Sequence, residues 1–339
     1  MSVRAASVLL PLLALPFAAC SGGDPAQAGA SPNSNPVSPT LGLPAMTRPA
    51  SWSEAKAELG KKLFFDTRLS SNAKMSCSTC HEPERAFTDG QRFSTKVDGK
   101  VNTRNSPSLV NVGYQPLFYW DGRADSLEKN VGAAWKGHMG GDPEKSPAAI
   151  AKVEGYAKEF QAAYGHAPTF DDMVDALSSF VRTLQSGGSR YDRFTNGDKS
   201  ALNADEQAGM TLFLGTCASC HTGALFTDHQ FHNVGIGMDA ETPDPGRHKV
   251  DEKAALGSFK TPSLRSVSLT APYFHDGSAA TLEEAVTVMA HGGKANAALD
   301  PLLQPVKDRK FDDKQIAQLV AFLRALDGSG IFVKPTLPQ

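Results

Sequence analysis

The chain has 339 residues, 40% of them hydrophobic, enough for two ordinary domains that each enclose a core. Its 34 Lys and Arg offset 36 Asp and Glu, leaving a formal charge of −2, and no basic run breaks that balance. These features exclude the electrostatic footprint of a protein that binds nucleic-acid phosphates.

Residues 1–20 carry Arg4, then the apolar run VLLPLLALPFAA, then Cys20. A charged start, a short apolar stretch and small residues before a break are the order of a secretory signal. The run is too short and too Pro-interrupted for a lasting transmembrane helix. Phe17-Ala18-Ala19-Cys20 resembles the bacterial lipobox, with Phe17 where Leu is more usual. Cys20 is then expected as the lipidated first residue of an exported, periplasmic, membrane-anchored protein; the other reading is an ordinary signal with an incidental cysteine. Residues 21–50, rich in Gly, Ser, Pro and Ala, read as a flexible tether.

Beyond Cys20 the only cysteines are Cys77, Cys80, Cys217 and Cys220, each pair followed directly by a histidine in SCSTCH (76–81) and TCASCH (216–221). A zinc site would join two distant segments and would not require the adjacent His81 and His221. A redox dithiol of thioredoxin type expects a βαβ pattern, which is missing. Covalent c-type haem needs two thiols at this spacing for its vinyl groups and the next imidazole as axial ligand. Two motifs, an export signal and no spare thiol therefore point to two covalently bound c-type haems.

Four blocks recur in the same order in both halves. GKKLFF (60–65) pairs with GMTLFL (209–214) ahead of each haem motif, and Phe-Thr-Asp follows each motif, at 87–89 and 226–228. SPSLVNV…FYWDGRADSLE (106–128) pairs with TPSLRSV…YFHDGSAATLE (261–283), and residues 170–188 pair with 311–330. The last block is a predicted helix in both copies, with Met173, Leu177, Phe180, Val181 and Leu184 on one face of the first and Ile316, Leu319, Val320, Leu323 and Leu326 on one face of the second. Asp171 or Asp172 and Asp312 or Asp313 are candidate caps, with Gly187 and Gly328 as stops. The expected fold is mostly α, two tandem cytochrome c-like haem domains with long loops. Residues 51–190 are expected to form the N-terminal haem domain and 191–339 the C-terminal haem domain, with the boundary in GGSRYDRFTNGD (187–198).

The copies differ where a second axial ligand would stand. Met289 lies thirteen residues after Asp276, on a helix expected to begin at Thr281; the same step from Asp121 reaches Ala134. A filled sixth position favours electron transfer, and an empty one admits a small ligand. The second haem is thus expected to be His221/Met289, with His291 and Met238 as alternative ligands, and the first to have His81 and an open face.

From about residue 52 to 330 the chain resembles the bacterial di-haem cytochrome c peroxidase family, which includes MauG-type enzymes. The matching stretches are LGKKLFFDTRLS, CSTCHEPERAFTDG, NSPSLVN, WDGRADSLE, the second CxxCH and TPSLRSVSLTAPYFHDGSAATLEEAV. The resemblance implies Met at position 289, where MauG-type members have Tyr, and a relay tryptophan between the haems at Trp120. It also implies a structural calcium at Asn105 and the carbonyls of Thr270 and Pro272, and a dimer as a common assembly.

Two departures are visible. No histidine lies between His81 and Trp120, where classical members place one that caps the first iron until the other haem is reduced. The first haem is therefore expected to be open without reductive activation. The family's distal Glu is also missing from NVGAAWKGHMGGDPE (130–144), which leaves His138 as the candidate proton carrier, with Glu144 behind it. The alternatives for His138 are a sixth ligand and an exposed loop residue. The function implied is reduction of hydrogen peroxide at the first haem, with electrons entering through the second from a small periplasmic cytochrome c or copper protein. A MauG-like oxidation of Trp or Tyr on a partner protein is the nearest rival, and a non-catalytic electron-transfer cytochrome the next.

Overall fold

The computed structural model describes residues 41–328 and 332–339. The leader with Cys20, and residues 329–331, lie outside the described residues. Among these residues ten α-helices follow in order: α1 Glu54–Phe65, α2 Leu127–Met139, α3 Lys145–Ile150, α4 Glu154–Tyr164, α5 Phe170–Val181, α6 Arg190–Thr195, α7 Ala204–Thr216, α8 Leu282–Ala290, α9 Gln304–Asp308 and α10 Asp313–Arg324. The only sheet among the described residues is a two-residue antiparallel pair, β1 Phe231–His232 with β2 Phe259–Lys260. The protein is mostly helical, with two tandem cytochrome c-like units.

Each copy is built on one crossing of two helices, α1 on α5 and α7 on α10. A glycine allows each crossing. A Cβ added at Gly60 would stand 1.8 Å from the Ala176 carbonyl oxygen, and one at Gly209 1.9 Å from that of Gln318. The apolar faces expected from periodicity are the ones buried: Met173, Leu177 and Phe180 in the first core, Ile316, Leu319 and Leu323 in the second.

The duplication extends to the backbone between the haem motif and the last helix. Isolated bridges join Phe118 to Ala124 and, 155 positions later, Tyr273 to Ala279. At the same offset, Asn111 and Ser266 share a left-handed conformation (φ +59° and +56°), as do Tyr119 and Phe274 (φ +65° and +70°).

The helix limits differ from the sequence expectation. Thr169, not an aspartate, caps α5; Asp172 completes the box by accepting the Thr169 N–H at 3.0 Å. Asp312 caps α10 as expected. Neither helix runs to its glycine: α5 stops at Val181 because the Leu184 carbonyl is taken by the Asn111 N–H at 2.7 Å, drawing the chain out of the helix. The stretch 187–198, where the domain boundary was expected, contains α6, capped by Ser189. Residues 332–339, placed by sequence with the second half, pack on the first core: Phe332 stacks on Phe65 at 5.2 Å between centroids and meets Phe87 edge-on, while Arg68 Nη2 donates to the Pro338 carbonyl at 2.8 Å.

Candidate haem sites

Each CxxCH motif folds as a single 3₁₀ turn, Cys77–Thr79 and Cys217–Ser219, so that two sulfurs and the next imidazole leave one turn of chain. Nδ1 of His81 lies 2.8 Å from the Phe87 carbonyl oxygen, and Nδ1 of His221 lies 3.0 Å from that of Phe226. A carbonyl only accepts, so Nδ1 carries the proton in both rings and Nε2 keeps a free lone pair. Burial pushes both imidazoles below their usual range and holds them neutral, the form that binds a metal.

The thiols are not paired in disulfides. Burial pushes Cys77 up to about 12 and raises Cys80 and Cys217 as well, the reverse of the lowered thiol on which a redox dithiol depends. Nor do the four sulfurs form one zinc site, because the motifs line separate cavities. Cys80 and His81 face a cavity of about 1050 Å³; Cys217, Cys220 and His221 face a narrower, mainly apolar slot of about 210 Å³. Two thiols and an oriented neutral imidazole at each of two cavities fit a covalently attached haem in both.

The distal walls are the equivalent helices α2 and α8. Ser126 and Thr281 cap them at equivalent positions, each hydroxyl accepting the N–H three residues on, and helical spacing then turns Asn130, Ala134 and His138 toward the first cavity and Ala285 and Met289 toward the second. Met289 shares the second cavity with His221, whereas the alternative ligands do not line it. His291 is exposed with Nδ1 2.8 Å from the Thr287 carbonyl oxygen, and a Cβ added at Gly257 would meet the Met238 sulfur.

His138 stands in the last turn of α2, half-buried, not in a loop. Burial first, then the nearby Lys96 and His81, keep its pKa below the ordinary imidazole value. Glu144 is not brought to this cavity. After Gly140 ends α2 in a left-handed turn, the Asp142 carboxylate accepts the Glu144 N–H at 2.9 Å, and Glu144 is left exposed at the start of α3.

Trp120 lines both cavities. Its indole N–H donates to the Asn105 carbonyl at 3.0 Å, and its own carbonyl accepts the Lys260 N–H at 2.9 Å. Asn105 is buried and ties the halves together through its N–H to the His275 carbonyl at 2.7 Å. Asn105, Thr270 and Pro272 all border the first cavity. A calcium ion there would complete its six to eight oxygens with water and further carbonyls.

Several residues of the site were missed in the sequence. Tyr119 and Arg123 line the first cavity with Asn130; the Arg123 guanidinium lies 3.4 Å above the Tyr119 ring, whose hydroxyl donates to the Asn130 carbonyl at 3.2 Å. Asn130 had a usable signal, since it sits one helical turn before Ala134 on the same face. His232 is clamped between Asp300 (Nδ1–Oδ2 2.6 Å) and Asp228 (Nε2–Oδ2 3.0 Å) against Cys220. The Cys220 sulfur, then the two carboxylates, raise it to about 10. Haem attachment converts that sulfur to a thioether and leaves the carboxylates as the support for the charge.

The profile of the di-haem cytochrome c peroxidase family matches residues 54–200, and that of cytochrome c matches residues 206–327. Cytochrome c551 peroxidase of Nitrosomonas europaea is 34% identical over 290 residues, covering 83% of each chain. The methylamine utilization protein MauG of Methylorubrum extorquens is 35% identical over 293 residues, 84% of this chain and 81% of that one. Among solved structures, a MauG-like protein associated with microbial copper homeostasis superposes with a TM-score of 0.77 at 31% identity, covering 84% of this chain and 93% of that chain.

Proposed function

The chain belongs to the di-haem cytochrome c peroxidase family, and from that premise we propose that it reduces hydrogen peroxide at its first haem with electrons delivered through its second. The observation that carries this reading is the pair of equivalent helix positions: Ala134 faces the first cavity and Met289 the second. Bound haem supplies the iron that takes up peroxide at one site and passes single electrons at the other.

The chain's own residues supply the rest. His81 and His221 each offer Nε2 from a ring fixed by a carbonyl, and the Met289 thioether closes the second site to small molecules. Ala134 leaves space for two oxygen atoms beside the first. His138, neutral near pH 7, takes a proton from one peroxide oxygen and returns it to the other, so that two electrons and two further protons give two waters. Trp120, flush with both cavities, shortens the path between them. Asn105, Thr270 and Pro272 would hold calcium at the seam, where Asn105 also accepts the Trp120 indole N–H.

The donor is a small periplasmic cytochrome c or copper protein. Export and a lipid anchor at Cys20 rest on the sequence of the leader; no helix among the described residues is long and apolar enough to cross a membrane. A second reading, oxidation of Trp or Tyr on a partner protein, is favoured by the lack of any histidine between His81 and Trp120 and by the 31% identical MauG-like structure. Steady-state peroxide consumption with a reduced small cytochrome or azurin-type protein tests the first reading. Turnover of many equivalents is expected. Consumption confined to a few equivalents, with oxidative mass shifts on a co-purified protein, would favour the second.

A further inference from the structure

Lys260 is buried, 7% exposed, at the seam between the cavities. It stands on β2, with its N–H held by the Trp120 carbonyl, and it lines both cavities. Among the described residues it is the only Lys or Arg on the wall of the second. Its ammonium donates to the neutral Gln115 side-chain oxygen at 2.5 Å and has no carboxylate partner within ion-pair distance among the described residues. Burial alone lowers it to about 8; a neighbouring carboxylate would oppose that shift. The other buried cations among the described residues are matched: Arg182 pairs with Glu128 at 2.7 Å and Arg265 with Asp192 at 2.5 Å. A buried charge without a counter-charge is strongly disfavoured unless an anion arrives with a ligand. Each haem brings two carboxylates.

We propose that Lys260 is a haem-propionate site at the partition between the cavities, and that its charge raises the reduction potential of the haem whose propionate it holds. The inference rests on two haems being attached and not on peroxide being the substrate. A positive charge beside a propionate favours the ferrous state, whose iron carries one positive charge fewer. Gln115 orients the ammonium and leaves its other two protons for the propionate.

The test is a spectroelectrochemical titration of the full-length holoprotein, wild type against Lys260→Met and Lys260→Arg, with resonance Raman spectra of the propionate bending modes. In Lys260→Met the ferric-to-ferrous ratio of at least one haem at fixed potential should rise about tenfold, equal to 59 mV for one electron, with a shifted propionate mode. Lys260→Arg should stay near wild type. If Lys260→Met does not fold, Lys260→Gln, which keeps a partner for Gln115, takes its place. Less than a twofold change at both haems, or changed potentials with propionate modes unmoved, overturns the site. Shifted potentials and modes in a protein that does not turn over peroxide would support Lys260 and refute the peroxidase reading alone.

Discussion

Helices α2 and α8 begin at equivalent hydroxyl caps and occupy the same place in their copies, yet they present different surfaces to their cavities. α2 shows Asn130, Ala134 and His138, polar groups flanking a gap; α8 shows Ala285 and Met289, with a soft sulfur at the gap. The proximal side is the same in both, an imidazole fixed by a backbone carbonyl. Duplication has kept the side that holds a haem and altered the side that decides what else reaches it. In the proposed function, chemistry is thereby divided between two cavities of one fold.

Exchanging the gap residues breaks the comparison most sharply. Ala134→Met places a thioether in the first cavity and is expected to abolish peroxide consumption while converting its haem spectrum to low spin. Met289→Ala should open the second haem to cyanide; a spectrum unchanged by cyanide would remove Met289 from the ligand set. The next effect belongs to His138: His138→Ala should slow peroxide reduction by about 10²–10⁴-fold, the usual worth of one positioned acid–base group. Its depressed pKa sets the direction with pH. The neutral ring is the working form, so the wild-type rate should hold near pH 7 and fall as pH drops through a value below the ordinary 6.5. A flat profile in the same range excludes the role.

Smaller effects concern stability. His275, the counterpart of Trp120, stacks on Phe259 at 3.6 Å and is lowered to about 4 by burial. Below the unfolded value of about 6.5 the unfolded chain takes up a proton that the folded one refuses, so stability falls between about pH 6.5 and 4, by about 3 kcal/mol. Above 6.5 the group contributes nothing, and His275→Gln should flatten that limb of a denaturation series. Gly60→Ala and Gly209→Ala each force a methyl into a backbone carbonyl across a helix crossing and should cost about 2–3 kcal/mol, to a similar extent in the two copies.

Much of this architecture was legible because it is written twice. A fixed offset of 155 residues between the copies, from Pro107 to Asp121 and from Pro262 to Asp276, aligned Ala134 with Met289 before any coordinates. What stayed hidden arises from contacts without periodicity. His232 meets Asp300 across 68 positions, and Lys260 meets Gln115 across 145. Glu144 was misplaced because nothing in the run GGDPE states that Asp142 will cap the next turn and hold its neighbour at the surface. The α5 end was set too far along because the bond from Asn111 to Leu184, formed by a distant loop, outweighs the local stop signal of Gly187.

Electron paramagnetic resonance of the oxidised holoprotein, as isolated and after cyanide, addresses the division between the cavities most directly. One high-spin ferric signal that cyanide converts to low spin is expected, beside one low-spin signal that cyanide leaves untouched. Two low-spin signals in the untreated protein, or two that cyanide alters, would contradict it.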